Sequence, residues 1–242
     1  MDTSKTSLLE NQANEYENFI RSNRHIVLTS KELDELSVIC RLAQVTPHDI
    51  LKLTFYFLLQ KYNFNRENPV YTLTGGQLES VCIDYADSDS FNDIIKGFSD
   101  GNVYRQTVEF SQLNKQNHNN FLFEDREFEE NMEWFLAPGI SYDMVMSYRF
   151  QGMNLNCSLL CGKQTKQSLD FINQMLSHFE RLLINLIGNI HKPFGKVGIL
   201  DENERNRQLI EWNQTERKNS GRYTAIRRFE EMVEHYPSRI AV

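Results

Sequence analysis

The spacing of apolar residues divides this chain into stretches of helical and of strand period. Leu33, Leu36, Cys40 and Ala43 recur at three- and four-residue steps behind Thr29 and Glu32. A hydroxyl at that place accepts a first-turn amide, and the carboxylate three residues on reaches back to the cap's own amide, so a helix is predicted to start there. Thr46-Pro47-His48-Asp49 opens a second helix. It has an N-cap Thr, a Pro where no amide is needed, and an acid facing the positive helix end. Ile50, Leu51, Leu53, Phe55, Phe57, Leu58 and Tyr62 leave that helix no polar face, so it should be nearly buried. His48, in its first turn, is expected at the surface.

Strand signals follow. Val70 to Thr74 is rich in β-formers and stops at Gly75-Gly76, and Ser80 to Ile83 is a second short strand. Ser88 or Ser90 caps a helix carrying Phe91, Ile94, Ile95 and Phe98 that ends near Gly101. Val103 to Leu113 is predicted as another helix, and Asn114 to Asn120 as a polar loop. Tyr142, Met144, Met146, Tyr148 and Phe150 then alternate on one strand face, and Leu155, Cys157, Leu159 and Cys161 on the next. Gln151-Gly152 is predicted as the hairpin turn between them. Ser168 caps a long helix through about Ile187, with Phe171, Ile172, Met175, Phe179 and Leu182 inward and Gly188 as its stop. Ahead of all this, a polar stretch with Leu9, Tyr16, Phe19 and Ile20 gives a weak helical stripe.

Composition narrows the class. At 40% hydrophobic and 12% aromatic residues, a chain of 242 residues can bury a substantial core and is globular rather than disordered. A net charge of −7 argues against nucleic acid, which needs a dense basic surface. No basic cluster flanks an apolar face, and no run approaches the ~20 apolar residues of a membrane span, so no membrane partner is expected. Only Leu8-Leu9 stands where a signal peptide carries its apolar core, so a cytoplasmic location is expected. There the four cysteines, Cys40, Cys82, Cys157 and Cys161, should be free thiols. Cys157 and Cys161 have no His or Cys cluster beside them and are expected as small apolar residues on a strand face, not a metal site.

Other chemistry is thin. There is no phosphate-binding G-x-x-x-x-G-K-[ST] loop and no G-x-S-x-G nucleophile elbow. Gly75-Gly76 is simply a turn, and the acidic pairs Glu124-Asp125 and Glu129-Glu130 are expected on solvated faces.

The last stretch carries the functional signal. Asp201 with Glu204 forms another capping pair, and Leu209 and Trp212 follow three residues apart on one side of a short helix. Asn213 to Gly221 is polar and ends in Gly, which makes it a linker. The ordered set Ile199, Leu200, Glu204, Leu209, Ile210, Trp212, Asn213 and Thr215, then Phe229-Glu230-Glu231, Pro237 and Ile240-Ala241-Val242, resembles the junction of a condensation and an adenylation domain in nonribosomal peptide synthetases.

The upstream order is similar to the C-terminal lobe of a condensation domain. Gln44-Val45-Thr46-Pro47 matches the family's helix junction, and Tyr71 to Gly76 with Ser80 to Ile83 its strand, turn and strand. Ser90 to Ile95 matches the following helix, and Tyr142-Asp143-Met144 a later strand in which Asp143 looks structural. Met175, His178, Phe179, Leu182 and Leu183 match its closing helix. The resemblance implies an α+β fold, an α/β sandwich: one chloramphenicol-acetyltransferase-like lobe with a mixed central sheet and packed helices. Its parse is an N-terminal arm over 1–24, the lobe over 25–192, a linker over 193–223 and the start of an adenylation domain over 224–242. Leu200, Glu204, Leu209, Trp212, Asn213 and Phe229 are the expected interdomain contacts.

Complete domains of that family pair two such lobes around a channel and carry His-His-x-x-x-Asp-Gly in the first. Of the six histidines here no two are adjacent and none precedes Asp-Gly. The expectation is a truncated lobe with no catalytic residue, no metal and no cofactor of its own. Phosphopantetheine, ATP and Mg belong to downstream domains of such a synthetase. Expected partners are the downstream adenylation and carrier domains in cis, and a tailoring enzyme or a first-lobe partner in trans. Three readings stay open: a non-catalytic platform at the start of an initiation module, half of a split condensation domain, or a fragment of a complete synthetase.

Overall fold

The computed structural model describes residues 19–64, 69–74, 77–99, 103–108, 121–124, 142–162, 168–211 and 225–237. The chain divides into two compact units, Met1–Ile199 and Leu200–Val242. In unit 1 the elements are β1 (Phe19–Val27), α1 (Ser30–Ala43), α2 (Pro47–Lys61), β2 (Val70–Thr74), β3 (Gln77–Ile83), α3 (Phe91–Ser99), β4 (Val103–Val108), β5 (Phe121–Glu124), β6 (Met144–Gln151), β7 (Asn154–Gly162) and α4 (Leu169–Gly188), followed by a 3-10 turn over Phe194–Lys196. Unit 2 holds α5 (Glu202–Asn206), a wider helical turn over Arg207–Glu211, and α6 (Ala225–His235).

The strands form one mixed sheet of seven, ordered β1-β7-β6-β5-β2-β3-β4. The pairs β6/β5 and β5/β2 are parallel and the others antiparallel. This is the α+β lobe that the sequence implies. Ten consecutive residues of α2, Ile50 to Leu59, are buried. Phe55 stacks on Phe123 of β5 at 5.8 Å, and Phe57 meets Phe194 at 4.5 Å. Met175, Phe179 and Leu182 of α4 complete the same core with Met144, Met146, Leu155 and Leu159 of the sheet. A smaller cluster of Tyr71, Leu78, Leu122, Tyr142, Val145 and Leu160 forms a separate core. The middle strands therefore bury residues of both parities, as strands covered on both faces do.

Local signals place the helix starts well. Thr29 with Glu32 and Thr46 with Asp49 form complete capping boxes. Of the two serines ahead of α3 it is Ser90 that caps, accepting from the Asp93 amide at 3.2 Å. Ser168 accepts from the Phe171 amide at 3.1 Å to start α4. Cys157 and Cys161 are buried free thiols on β7.

Several expectations are corrected. Val103–Val108 is strand β4, paired with β3 from Ile83↔Val103 to Leu78↔Val108, not a helix; residues 109–113 lie outside the described residues. Its β-branched and aromatic residues suit either state, and the free edge of β3 decides between them. Phe19 and Ile20 belong to no helix: β1 pairs with β7 from Phe19↔Gly162 onward, so the first lobe strand begins within the expected arm. Leu9 and Tyr16 lie outside the described residues. Tyr142 precedes β6 and packs with Val145 and Leu160, apart from Met144 and Met146.

The hairpin loop is Gly152-Met153, one residue later than expected, because Gln151 still pairs with Asn154. Gly152 has φ +59, the glycine-first pattern of a type II′ turn. Gly188 is the last residue of α4 and not a left-handed stop; the helix gives way at Asn189, φ −139. Residues 193–199, expected as the linker's beginning, are built into unit 1, with Phe194 and Val197 in its core.

Candidate interaction surfaces

Unit 2 starts with a local device. The Asp201 side chain accepts from the Glu204 amide at 2.7 Å, and Glu204 accepts from the Asp201 amide at 2.8 Å. This expected contact residue is thus a helix cap. Leu200 is half-buried, while Leu209 is 58% exposed. Trp212 and Asn213 lie outside the described residues.

In α6, Phe229 is 62% exposed and belongs to a stripe with Ile226, Met232 and Val233, and with Tyr236 just beyond the helix end, all exposed. Steps of three and four residues put these side chains on one helical face. Arg227 and Glu231 form an i,i+4 ion pair at 3.9 Å. A helix with one wholly apolar face is built to have that face covered. Phe229, an expected interdomain contact, thus has four apolar companions whose three- and four-residue spacing is legible in the sequence.

Unit 1 carries a groove of about 420 Å³ between α1, α3 and α4. Its apolar lining includes the buried Ile95 and Ile187 and the exposed Val38 and Leu42, with Asp34 and Glu35 as acidic residues and Lys96 as a basic one. These residues come from three helices far apart in sequence, so no local motif announced them.

Among the described residues, His48, His178 and His25 do not converge on one site. His48 Nδ1 is hydrogen-bonded to the Tyr148 hydroxyl at 2.7 Å, and the ring lies 5.5 Å from Phe123. It is half-buried against the sheet, not a surface residue as expected. His178 is buried in α4 with Nδ1 2.8 Å from the Tyr62 hydroxyl. His25 Nδ1 meets Asn156 Oδ1 at 2.7 Å. Asp143 accepts the Gly162 amide through its carbonyl at 3.1 Å, a structural contact.

Three of the thiols, Cys40, Cys157 and Cys161, are equally unsuited to attack. Burial, with Asp49 nearby, pushes Cys40 up to about 11. Burial, with Asp143 nearby, pushes Cys161 up to about 12, and Cys157 is also raised, chiefly by burial. A protonated thiol is a poor nucleophile. Among the described residues no group of three or more His, Cys, Asp or Glu could hold a metal ion. No helix of the described residues is long and apolar enough to cross a membrane.

No family model and no curated protein matches this sequence. Solved structures do match. The first condensation domain of the CDA synthetase superposes with a TM-score of 0.53 at 9% identity, over 74% of this chain and 48% of that one. The X-domain from teicoplanin biosynthesis gives 0.54 at 11% identity, over 75% and 50%. A holo four-domain nonribosomal peptide synthetase bound to AMP and glycine gives 0.60 at 11% identity, over 92% of this chain and 21% of that one. The fold is therefore that of a condensation-domain lobe. The chain spans about half the length of the condensation and X-domain structures it matches.

Proposed function

We propose that this chain is a catalytically silent, condensation-like lobe of a nonribosomal peptide synthetase, joined through unit 2 to an adenylation domain. It serves that domain, or a tailoring enzyme, as a platform. The observation that carries this is the exposed stripe Ile226, Phe229, Met232 and Val233 on α6, with Tyr236 just beyond its end, a face made to be covered by more protein. The resemblance of this same stretch to the opening of an adenylation domain supplies the cover. Coverage supports it too. The multidomain synthetase matches 92% of the chain, more than unit 1 alone can account for, while the separate condensation and X-domains match 74% and 75%. One matching structure is an X-domain in complex with OxyB, a precedent for the fold as a docking module.

The side chains support the silent reading. Amide formation of the family's kind uses an imidazole aimed at the attacking amine. Here the sequence has no paired histidines, and His48, His178 and His25 are each held by a neighbour. Phosphopantetheine and ATP would be bound by other domains.

The test has two parts. The chain is assayed for amide formation between two carrier-bound aminoacyl groups, with no product expected; turnover by the chain alone overturns the proposal. It is then assayed with an added lobe carrying the His-His-x-x-x-Asp-Gly sequence. Turnover that appears only then identifies it as half of a split condensation domain.

A further inference from the structure

We propose that α1 is a self-association surface, on which a second copy of this chain pairs its own α1 antiparallel about Val38. Leu33, Leu36, Ile39, Cys40 and Ala43 turn α1 to the core. Val38 stands in the middle of the opposite, outward face. Lys31, Asp34, Glu35, Arg41 and Leu42 all lie within about a sixth of a turn of it. Val38 is 40% exposed and Leu42 77%, the most of any large apolar side chain among the described residues. Leu42 is no stray surface leucine. It borders the groove between α1, α3 and α4, whose lining includes the buried Ile39, Ile95 and Ile187.

The helical period divides this face into two flanks. Glu35, Ile39 and Leu42 fall on the groove side of Val38, and Asp34 and Arg41 on the other, with Asp34 also at the groove's rim. A twofold axis at Val38 sets each residue opposite the one equally far on the other side of Val38 in the second copy, and keeps each flank against the same flank. Asp34 of each copy then meets Arg41 of the other within about one residue rise, 1.5 Å. Leu42 of each copy comes down beside Glu35 of the other, over the other's groove.

The order of charges names the occupant. Along the outward face an acid precedes the apolar centre and a base follows it, and both Asp34 and Arg41 are exposed. Such a face attracts a reversed copy of itself, which is what an isologous contact requires. Glu35 is not counted, because Lys31 pairs with it at 3.7 Å within the same helix. A net charge of −7 opposes any meeting of two copies, so association depends on local pairing of this kind. Two helices of 14 residues with the rims of their grooves bury less than a permanent dimer needs. The dimer is accordingly weak, with a Kd on the order of 100 μM.

The full chain is followed by analytical ultracentrifugation from about 10 μM to 1 mM, a range that brackets a Kd of that order. A reversible monomer–dimer equilibrium is expected. Each substitution counts twice across a twofold axis, so Leu42→Asp and Asp34→Arg should each raise the Kd about tenfold or more. Adding Arg41→Asp to Asp34→Arg restores opposite charges and should recover most of the loss, which a merely structural effect of either change would not do. Val38→Cys, under mild oxidation, should give a disulfide-linked dimer that the wild type does not. Thermal midpoints of all variants confirm that they are folded. A monomer at every concentration leaves the groove to some other protein and overturns the proposal. So does a dimer that survives Leu42→Asp and Asp34→Arg, or one lost in Phe229→Ser instead, which would run through the stripe on α6.

Discussion

The Tyr62 hydroxyl and His178 Nδ1 are hydrogen-bonded at 2.8 Å, tying the C-terminal end of α2 to the middle of α4. Tyr62 also meets Phe171 edge-on at 5.4 Å, and His178 is 2% exposed. A buried polar group costs its full desolvation when its partner is removed. Tyr62→Phe and His178→Phe should therefore each destabilise unit 1 by about 1–3 kcal/mol. The double variant should lose less than the sum, because neither group is then left orphaned. Denaturant unfolding of the cycle measures this, and strict additivity would contradict the coupling.

Asp49 gives the fold an acid-sensitive cap. Burial pushes its carboxyl up, but the Thr46 amide and hydroxyl, with Lys52 and His48, outweigh that and hold it below the ordinary aspartate value. A depressed native value means that the stability it contributes is fully present above the unfolded value, about 3.9. It is lost as pH falls through the lower folded value. The gap in unfolding free energy between the wild type and Asp49→Asn should be widest near neutral pH and narrow in strong acid. A gap independent of pH would show that the carboxylate charge contributes nothing.

Gly195 sits against the chain at Asp87. A Cβ built there lies 3.0 Å from the Asp87 carbonyl oxygen and 3.2 Å from its Cβ. The same carbonyl accepts the Gly195 amide at 2.9 Å, so it cannot simply retreat. Gly195→Ala should cost about 1–3 kcal/mol, as overpacking does. Gly198→Ala, with nothing within 4 Å of its Cβ, is the control and should be far milder.

The stripe on α6 should be energetically idle in the chain alone. Phe229→Ser with Ile226→Ser removes side chains that are 62% and 70% exposed, so thermal stability should move by no more than about 0.5 kcal/mol. Binding of an apolar fluorescent dye should fall. In a synthetase carrying the adenylation domain, the same pair should destabilise that domain. No effect there would remove the stripe from the interface.

Cys157 and Cys161 should resist thiol reagents in the native protein. Both are buried on β7, and burial raises both, which keeps them protonated at mildly alkaline pH. Mass spectrometry after brief alkylation should find them unmodified until denaturant is added. Rapid native labelling of either would mean that β7 opens far more easily than its packing implies.

The sequence by itself determined what depends on neighbours a few residues away. Thr29 with Glu32, Thr46 with Asp49 and Asp201 with Glu204 are pairs three residues apart, and each closes the capping box its spacing announces. The alternation of Met144, Met146 and Tyr148 with Leu155, Cys157 and Leu159 likewise fixed β6, β7 and the face they bury. A hydrogen bond or a two-residue period is local physics, so it can be read along the chain. Only the tertiary structure decided what depends on pairing at a distance. Val103–Val108 is a strand because the edge of β3 is there to bond it, and Phe19–Val27 is one because β7 offers the other edge. The groove of Val38, Ile95 and Ile187 exists only once helices from opposite ends of unit 1 are packed together. Strand register and helix packing join residues that share no local spacing, and nothing in a linear pattern records which distant edge a strand will meet.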